Sequence, residues 1–413
     1  MEYGLIGEKL SHSFSKTLHE KYLNTNYELV SLTKEELKEF LLKKEFKGIN
    51  VTIPYKKEVI QYLDYVDPLV KKIGACNTII NENGKLKGYN TDYFGFSFLL
   101  DENDVDVENK NIAILGSGGT FETVSNVLKD LGARNIYCIS REKKENTYTY
   151  DELYNLNVDI LVNTTPVGMY PNNYECLIDL DKLNVETVID VVFNPLRTKL
   201  ILEAKKRKIK AIGGLEMLVA QGVKSSELFL NKEYSEEETR SHYFDLNVDK
   251  FNIVLIGMPM SGKTTLGKSL SSAFNKEFID IDKEIVEREK RSINEIFEVD
   301  GEEYFRKVEV DLYKEYSKKN GLIISTGGGV VKNLESISRL KENGVVIFVD
   351  RNLEKMLFNS KRPLSKSKED IEKLYKERYK LYLNNADKRI INNGSKKRAV
   401  MNIVEAFYEY ISN

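Results

Sequence analysis

The chain has 413 residues, more than one ordinary hydrophobic core accommodates, so length alone predicts two or three domains. Its 62 Lys and Arg offset 64 Asp and Glu to a formal net charge of -2, which leaves no electrostatic footprint for nucleic acid or an anionic membrane and excludes both as expected partners. The three cysteines, Cys76, Cys138 and Cys176, have no zinc-ligand spacing and no signal-peptide core or long apolar run accompanies them, so the expectation is a cytoplasmic protein in a reducing compartment.

In chain order, YGLIG reads as a short buried strand and EKLSHSFSKTLHEKYL as a loop leading into a helix. The hydroxyls of Ser11, Ser13 and Ser15 suit either helix capping or the binding of a polyol. The segment GINVTIPYKK is a strand running into a turn with Thr52 and Lys56 at its lip. GACNTII and KGYNTDYFG are apolar segments broken at Asn77, Asn90 and Asp92, as strands meeting turns are. Lys56 is either a solvated surface lysine or, beside the Asp92 carboxylate, an ammonium ready to exchange a proton with a substrate oxygen.

From Asn109 the pattern becomes strand, glycine turn, amphipathic helix and strand in KNIAILGSGGTFETVSNVLKDLGARNIYCIS, which is a Rossmann βαβ unit. Gly116, Gly118 and Gly119 form the turn, and Phe121 stands where a third glycine is usual. The second strand ends in Ser140 and Arg141, where an NAD site usually carries an acidic residue, and a cation there suits the 2′-phosphate of NADP, although Glu142 follows at once.

The motifs GEKLSHSFS, GINVTIPYK, GACNT, GYNTD, GSGGT, NTTPVGM, DVVFNPLRT and GLEMLVAQG stand in the order and at about the spacing of shikimate dehydrogenases, a resemblance that covers nearly all of residues 1–235. The resemblance implies an α/β substrate part at about 1–95 and 212–236 and a Rossmann NADP-binding part at about 96–211. It implies that Lys56 and Asp92 are the catalytic pair, and that Ser13, Ser15, Thr52, Asn77 and Gln221 hold the substrate's carboxylate and hydroxyls. It also implies an NADP site of Gly116, Ser117, Gly118, Gly119, Thr120, Ser140, Arg141, Thr164 and Gly214. The chain departs from the family in having Lys9 and Lys16 for prolines, Phe121 for a small residue and Phe193 for a tyrosine.

Residues 237–249 lie in a charged stretch without a sustained apolar period, which reads as a linker or a frayed helix end. Beyond it, FNIVLI breaks into GMPMSGKTT, a GxxxxGK[ST] pattern with a strand before it and a helix after it. This phosphate-binding loop, Gly257, Met258, Pro259, Met260, Ser261, Gly262, Lys263, Thr264 and Thr265, predicts an ATP site in which Lys263 brings a positive charge and Thr264 a hydroxyl for Mg²⁺. In EFIDIDKEIVE the carboxylates of Asp280 and Asp282 alternate along an expected strand and so share a side, one for the metal and one for an acceptor hydroxyl. Arg306 and Glu309 share a helix face, as a surface ion pair often does. Gly327, Gly328 and Gly329 follow a strand where the backbone must approach something closely. Arg306, Arg362 and Arg378 are three cations for a carboxylate and a transferring phosphoryl group.

GMPMSGKTT, DID, INEIF with GEEYFRKVE, STGGG, RPL and ERYKLY together resemble shikimate kinases over about residues 250–413. The resemblance implies a P-loop fold with a parallel sheet, Asp280 on the Mg²⁺ side, Asp282 at the reacting hydroxyl, Arg306, Arg378 and Gly327–Gly329 in the substrate pocket, and Arg362 in a lid over the phosphates. The whole is expected to be an α/β enzyme that reduces 3-dehydroshikimate with NADPH and phosphorylates the shikimate formed with ATP. Reduction with NAD and activity on quinate are the alternative within enzymes, and a nucleotide-binding regulatory module is the alternative outside them.

Overall fold

The apolar runs NIAIL, ILVN, TVID, NIVLI and GVVIFVD are buried along their whole length, the pattern of parallel strands covered on both faces rather than of strands with one wet side. The computed structural model describes residues 1–10, 13–356 and 367–412, and among them the strands form three sheets. The chain divides into two compact units, Met1–Asn194 with Glu203–Leu246, and Pro195–Leu202 with Asn247–Asn413. Among the described residues no helix is long and apolar enough to cross a membrane.

In the first unit, strands β1 (Tyr3–Gly7), β2 (Tyr27–Ser31), β3 (Gly48–Val51), β4 (Tyr65–Val66), β5 (Thr78–Glu82) and β6 (Lys85–Tyr89) form a mixed sheet in the order β2-β1-β3-β5-β6-β4. The pairs β2-β1-β3 are parallel, and β5 is antiparallel to both of its neighbours. Strands β7 (Asn111–Leu115), β8 (Asn135–Ile139), β9 (Thr147–Tyr148), β10 (Ile160–Asn163), β11 (Thr187–Asp190) and β12 (Lys210–Gly213) are all parallel, in the order β12-β11-β10-β7-β8-β9. That is the doubly wound order, with its reversal between β7 and β10 beside the first glycine turn. Phe121 lies partly buried against the core of Ile112, Ile114, Val124 and Val162, so the helix Gly119–Asp130 seats on its sheet without the third glycine. Phe193 packs its ring on Phe14 at 5.6 Å, an apolar contact in place of a hydroxyl.

In the second unit, β13 (Asn252–Ile256), β14 (Glu277–Asp280), β15 (Leu322–Ser325), β16 (Gly344–Asp350) and β17 (Lys388–Ile391) are parallel in the order β14-β15-β13-β16-β17. The loop of the GxxxxGK[ST] pattern leaves the central strand β13, where side chains from both flanks converge. Within this unit Arg197 is buried, its guanidinium 5.2 Å from the ring of Phe251 and 5.4 Å from that of Tyr410.

Two local expectations change. Residues 236–250 form a helix, because Ser235 and Glu238 cap each other's amides at 3.1 Å and 2.8 Å and Thr239, Leu246 and Asn247 turn a buried side inward. Arg240 on this helix grips Glu102 with two hydrogen bonds of 2.7 and 2.6 Å. Asp280 and Asp282 do not alternate along one strand: Asp280 ends β14 in extended conformation, and Asp282 sits in the first turn of the helix Ile281–Glu289.

His19 is fully buried and stacks on Tyr27 with centroids 4.1 Å apart and planes 6° apart, and among the described residues neither ring nitrogen has a hydrogen-bond partner. Burial pushes its pKa down to about 3, so the folded state holds the imidazole neutral while the unfolded chain protonates near pH 6.5. Stability from this group is therefore full above about pH 6.5 and is lost as the pH falls toward 3, at up to roughly 1.4 kcal/mol per pH unit. Replacing His19 by Phe should flatten that part of the pH dependence, as calorimetric unfolding of both proteins from pH 7 to pH 4.5 would measure; equal slopes in the two would refute the assignment.

Candidate active sites

Strand β3 delivers Thr52 and the turn that carries Lys56, and β6 hands over to the helix Asp92–Glu102, whose first residue is Asp92. The Lys56 Nζ lies 2.6 Å from Asp92 Oδ2, with 15% of the lysine side chain and 8% of the aspartate side chain exposed. Such a pair is far from a solvated surface lysine: a charge removed from water is tolerated because its partner is held against it. Beside Asp92, the Thr91 N–H donates to Asn77 Oδ1 at 2.7 Å, and Asn77 Nδ2 donates to Thr91 Oγ1 at 3.0 Å and toward Gln221 Oε1 at 3.5 Å. Lys56, Asp92, Asn77 and Gln221 thus gather about one helix N-terminus. Ser13 caps the helix Phe14–Thr17 by accepting the Ser15 N–H at 3.1 Å, and Ser15 is buried. Ser11 lies outside the described residues.

Lys56 also lines a cavity of about 620 Å³ whose other wall is Gly116–Thr120, with Ser140, Arg141 and Thr164 around it. Gly116 has φ +104, and a β-carbon there would meet the Thr164 hydroxyl at 3.0 Å; one on Gly119 would lie 3.6 Å from Lys56 Cβ. These glycines keep the wall open to a ligand at the very place where Lys56 stands. Gly118 caps the helix Gly119–Asp130 without a side-chain hydrogen bond, which leaves its first amides for an anion. Ser140 donates to the Glu142 carbonyl oxygen, and Arg141, not Glu142, faces the cavity. Gly214 is pressed against the Val191 carbonyl at the start of the helix Leu215–Leu230. Tyr150, which the sequence did not single out, joins the lining.

In the second unit, Gly257 (φ +149), Met260 (φ +65) and Gly262 (φ +102) turn the loop so that it enters the helix Lys263–Phe274. Lys263 Nζ folds back along the loop and donates to the carbonyls of Gly257 and Met258 at 2.9 and 3.0 Å. The Thr264 hydroxyl donates to Asp280 Oδ2 at 2.7 Å, a pair of hard oxygen donors of the kind Mg²⁺ takes alongside phosphate and water. Ser261 is buried, and the exposed Thr265 follows on the helix.

The triple glycine joins the loop to a second cluster. A β-carbon on Gly328 would meet Pro259 at 2.9 Å, one on Gly329 would overlap the Arg306 guanidinium, and one on Gly327 would meet Asp282 Oδ1 at 3.4 Å. Arg378, 3% exposed, donates to the Gly328 carbonyl oxygen at 3.0 Å, as the Tyr382 hydroxyl does at 2.5 Å. Arg306 and Glu309 are not a surface pair, because Glu309 is 2% exposed: it accepts from Arg306 Nη1 at 2.7 Å and from the Tyr313 hydroxyl at 3.0 Å, and that hydroxyl in turn accepts the Gly327 N–H at 3.2 Å. Burial pushes the Glu309 carboxyl above its ordinary range against the pull of Arg306. The spacing of Arg306 and Glu309 was legible, but their burial was not. Arg362 lies outside the described residues. Among the described residues no cluster of three or more His, Cys, Asp or Glu side chains forms a metal cage.

The shikimate dehydrogenase substrate binding domain family matches residues 5–79, and the shikimate kinase family matches residues 259–408. A shikimate dehydrogenase (NADP(+)) of Clostridium beijerinckii is 40% identical over 261 residues, which is 58% of this chain and 96% of that one. A solved chorismate mutase/shikimate 5-dehydrogenase fusion protein from Clostridium acetobutylicum is 35% identical with a TM-score of 0.57, covering 59% of this chain and 96% of that one. A shikimate dehydrogenase solved in complex with NADP+ is 35% identical with a TM-score of 0.52, covering 59% of this chain and 94% of that one. The chain belongs to the shikimate dehydrogenase family and continues, over residues 259–408, into a shikimate kinase domain.

Proposed function

We propose that the chain catalyses two consecutive steps, the NADPH-dependent reduction of 3-dehydroshikimate to shikimate and the ATP-dependent phosphorylation of shikimate at its 3-hydroxyl. The observation that carries the reading is Lys56, held 2.6 Å from Asp92 and lining the cavity that also holds the glycine turn. The presence of a kinase domain for the product of the first reaction on the same chain adds independent support. When bound, NADPH supplies the hydride for the first step and Mg²⁺ with ATP supplies electrophilic activation and the phosphoryl group for the second.

In the first step Lys56 gives a proton to the ketone oxygen as that oxygen gains charge, and Asp92 holds the lysine in place through the 2.6 Å contact. Ser13, Ser15, Thr52, Asn77 and Gln221 orient the ring by its carboxylate and hydroxyls, while the amides that open the helix Gly119–Asp130 and the Arg141 guanidinium take the cofactor's phosphates. In the second step Asp282 orients the 3-hydroxyl and accepts its proton, Arg306 and Arg378 bind the shikimate carboxylate, and Thr264 and Asp280 hold the metal. Lys263 leaves its two backbone carbonyls to stabilise charge on the phosphates, with Arg362 joining it. With no apolar span in the described residues and no excess basic charge, small molecules in the cytoplasm are the partners this reading requires.

Replacing Lys56 by Ala should lower kcat for dehydrogenation by about 10²–10⁴-fold and leave the kinase constants unchanged, because the two sets of residues lie in different segments. A rise in the Michaelis constant alone, with turnover kept, would make Lys56 a binding residue. Arg141→Ala should raise the Michaelis constant for NADP more than that for NAD, and equal effects on both cofactors would remove Arg141 from the 2′-phosphate site.

A further inference from the structure

Asn90 stands between β6 and the helix Asp92–Glu102, and it is 6% exposed. Its side-chain amide is fully engaged. Nδ2 donates to the Ala75 carbonyl oxygen at 2.9 Å and to Thr123 Oγ1 at 3.2 Å, while Oδ1 accepts the Tyr93 N–H at 3.1 Å. Two N–H donors and an acceptor on one short planar group are what an asparagine supplies, and neither aspartate nor a hydroxyl side chain replaces them.

Each of the three bonds leads to a different part of the dehydrogenase site. Ala75 precedes Cys76, whose N–H donates to the Lys56 carbonyl oxygen at 2.8 Å. Tyr93 follows Asp92 in the first turn of its helix, where amides have no partner within the helix itself. Thr123 is fully buried on the helix Gly119–Asp130 and donates in turn to the Gly119 carbonyl oxygen at 3.3 Å. Gly119 lines the cavity, and a β-carbon on it would lie 3.6 Å from Lys56 Cβ. One side chain thus joins the backbone of Lys56, the helix that begins with Asp92, and the glycine turn. The ion pairs Lys57–Glu122 at 3.1 Å and Lys72–Asp130 at 2.6 Å also reach the helix Gly119–Asp130, but their side chains are 36–54% exposed. Pairs so open to water and salt fix geometry weakly, which leaves the buried link through Thr123 to set it.

We propose that Asn90 is a positioning residue of the dehydrogenation step, setting through Thr123 how the Lys56–Asp92 pair stands relative to the cofactor wall at Gly119. The inference rests on the dehydrogenase reading of this unit and extends it to the residue that aligns its two walls.

The full-length chain is compared as wild type, Asn90→Ala, Thr123→Val and Thr123→Ser. Thr123→Val keeps the shape of the side chain and removes its hydroxyl, and kcat for dehydrogenation should fall about tenfold, because a small misplacement of reacting groups is costly. In that variant the primary isotope effect with NADPH deuterated at the transferred position should rise, while the NADPH dissociation constant, read from its fluorescence, stays within about twofold of the wild type. Asn90→Ala should lose at least as much turnover, and in the unliganded protein its Tyr93 amide hydrogen should exchange with solvent about tenfold faster. Thr123→Ser should match the wild type, and the kinase constants should not move in any variant. Undiminished turnover in Thr123→Val would overturn the proposal. So would weakened NADPH binding with an unchanged isotope effect, which would make the link a structural support of the cofactor wall. A wild type that binds NADPH and reduces no 3-dehydroshikimate would sink the dehydrogenase reading, and this proposal with it.

Discussion

The helices Gly119–Asp130 and Lys263–Phe274 both begin on a glycine with no side chain to cap them. The first turn of any helix leaves amide hydrogens without partners, and most chains satisfy some of them with Ser, Thr, Asp or Asn. Here the space in front of the amides is kept clear, and in each unit it opens at the carboxyl edge of a parallel sheet beside the first strand of that sheet in chain order. Anion binding at these two places is the constraint the rest of the structure meets. Strand order puts Lys56, paired with Asp92, on the wall facing the first and the cluster of Asp282, Arg306 and Arg378 alongside the second.

Each site also withdraws charge from water. Lys56 with Asp92, and Arg306 with Glu309, are ion pairs with little exposure, and pairs of this kind contribute little net stability because desolvation cancels much of the attraction. Their value lies in fixing a charged group without letting it relax into solvent. In the second unit the fixing extends further: Tyr313 ties Glu309 to the Gly327 amide, and Arg378 and Tyr382 share the Gly328 carbonyl. The glycines are thus held by hydroxyls and guanidinium groups, and their lack of a β-carbon lets Glu309, Pro259 and Arg306 pack directly against them.

The parallel sheets, the doubly wound order and the phosphate-binding loop were legible because buried strands are written as unbroken apolar runs and glycine turns have a fixed grammar. Less legible were features set by which face turns inward. The charged composition of 236–250 hides a helix whose few buried residues, Thr239, Leu246 and Asn247, are mostly polar. The i, i+3 spacing of Arg306 and Glu309 says that they share a face but not that the face is covered. Period two put Asp280 and Asp282 on one strand because the helix that Asp280 N-caps begins directly where the strand ends, with no intervening turn residues.

The central claim is that one chain carries both steps, with shikimate passing from the first to the second. The most direct measurement is a single reaction containing the purified full-length protein, 3-dehydroshikimate, NADPH, ATP and Mg²⁺, followed by absorbance of NADPH and by mass spectrometry of the products. The account predicts that NADPH is oxidised and that shikimate 3-phosphate forms with one ADP for each NADPH consumed once shikimate has reached steady state. Oxidation of NADPH that stops at shikimate, or phosphorylation of added shikimate without any reduction of 3-dehydroshikimate, would contradict it.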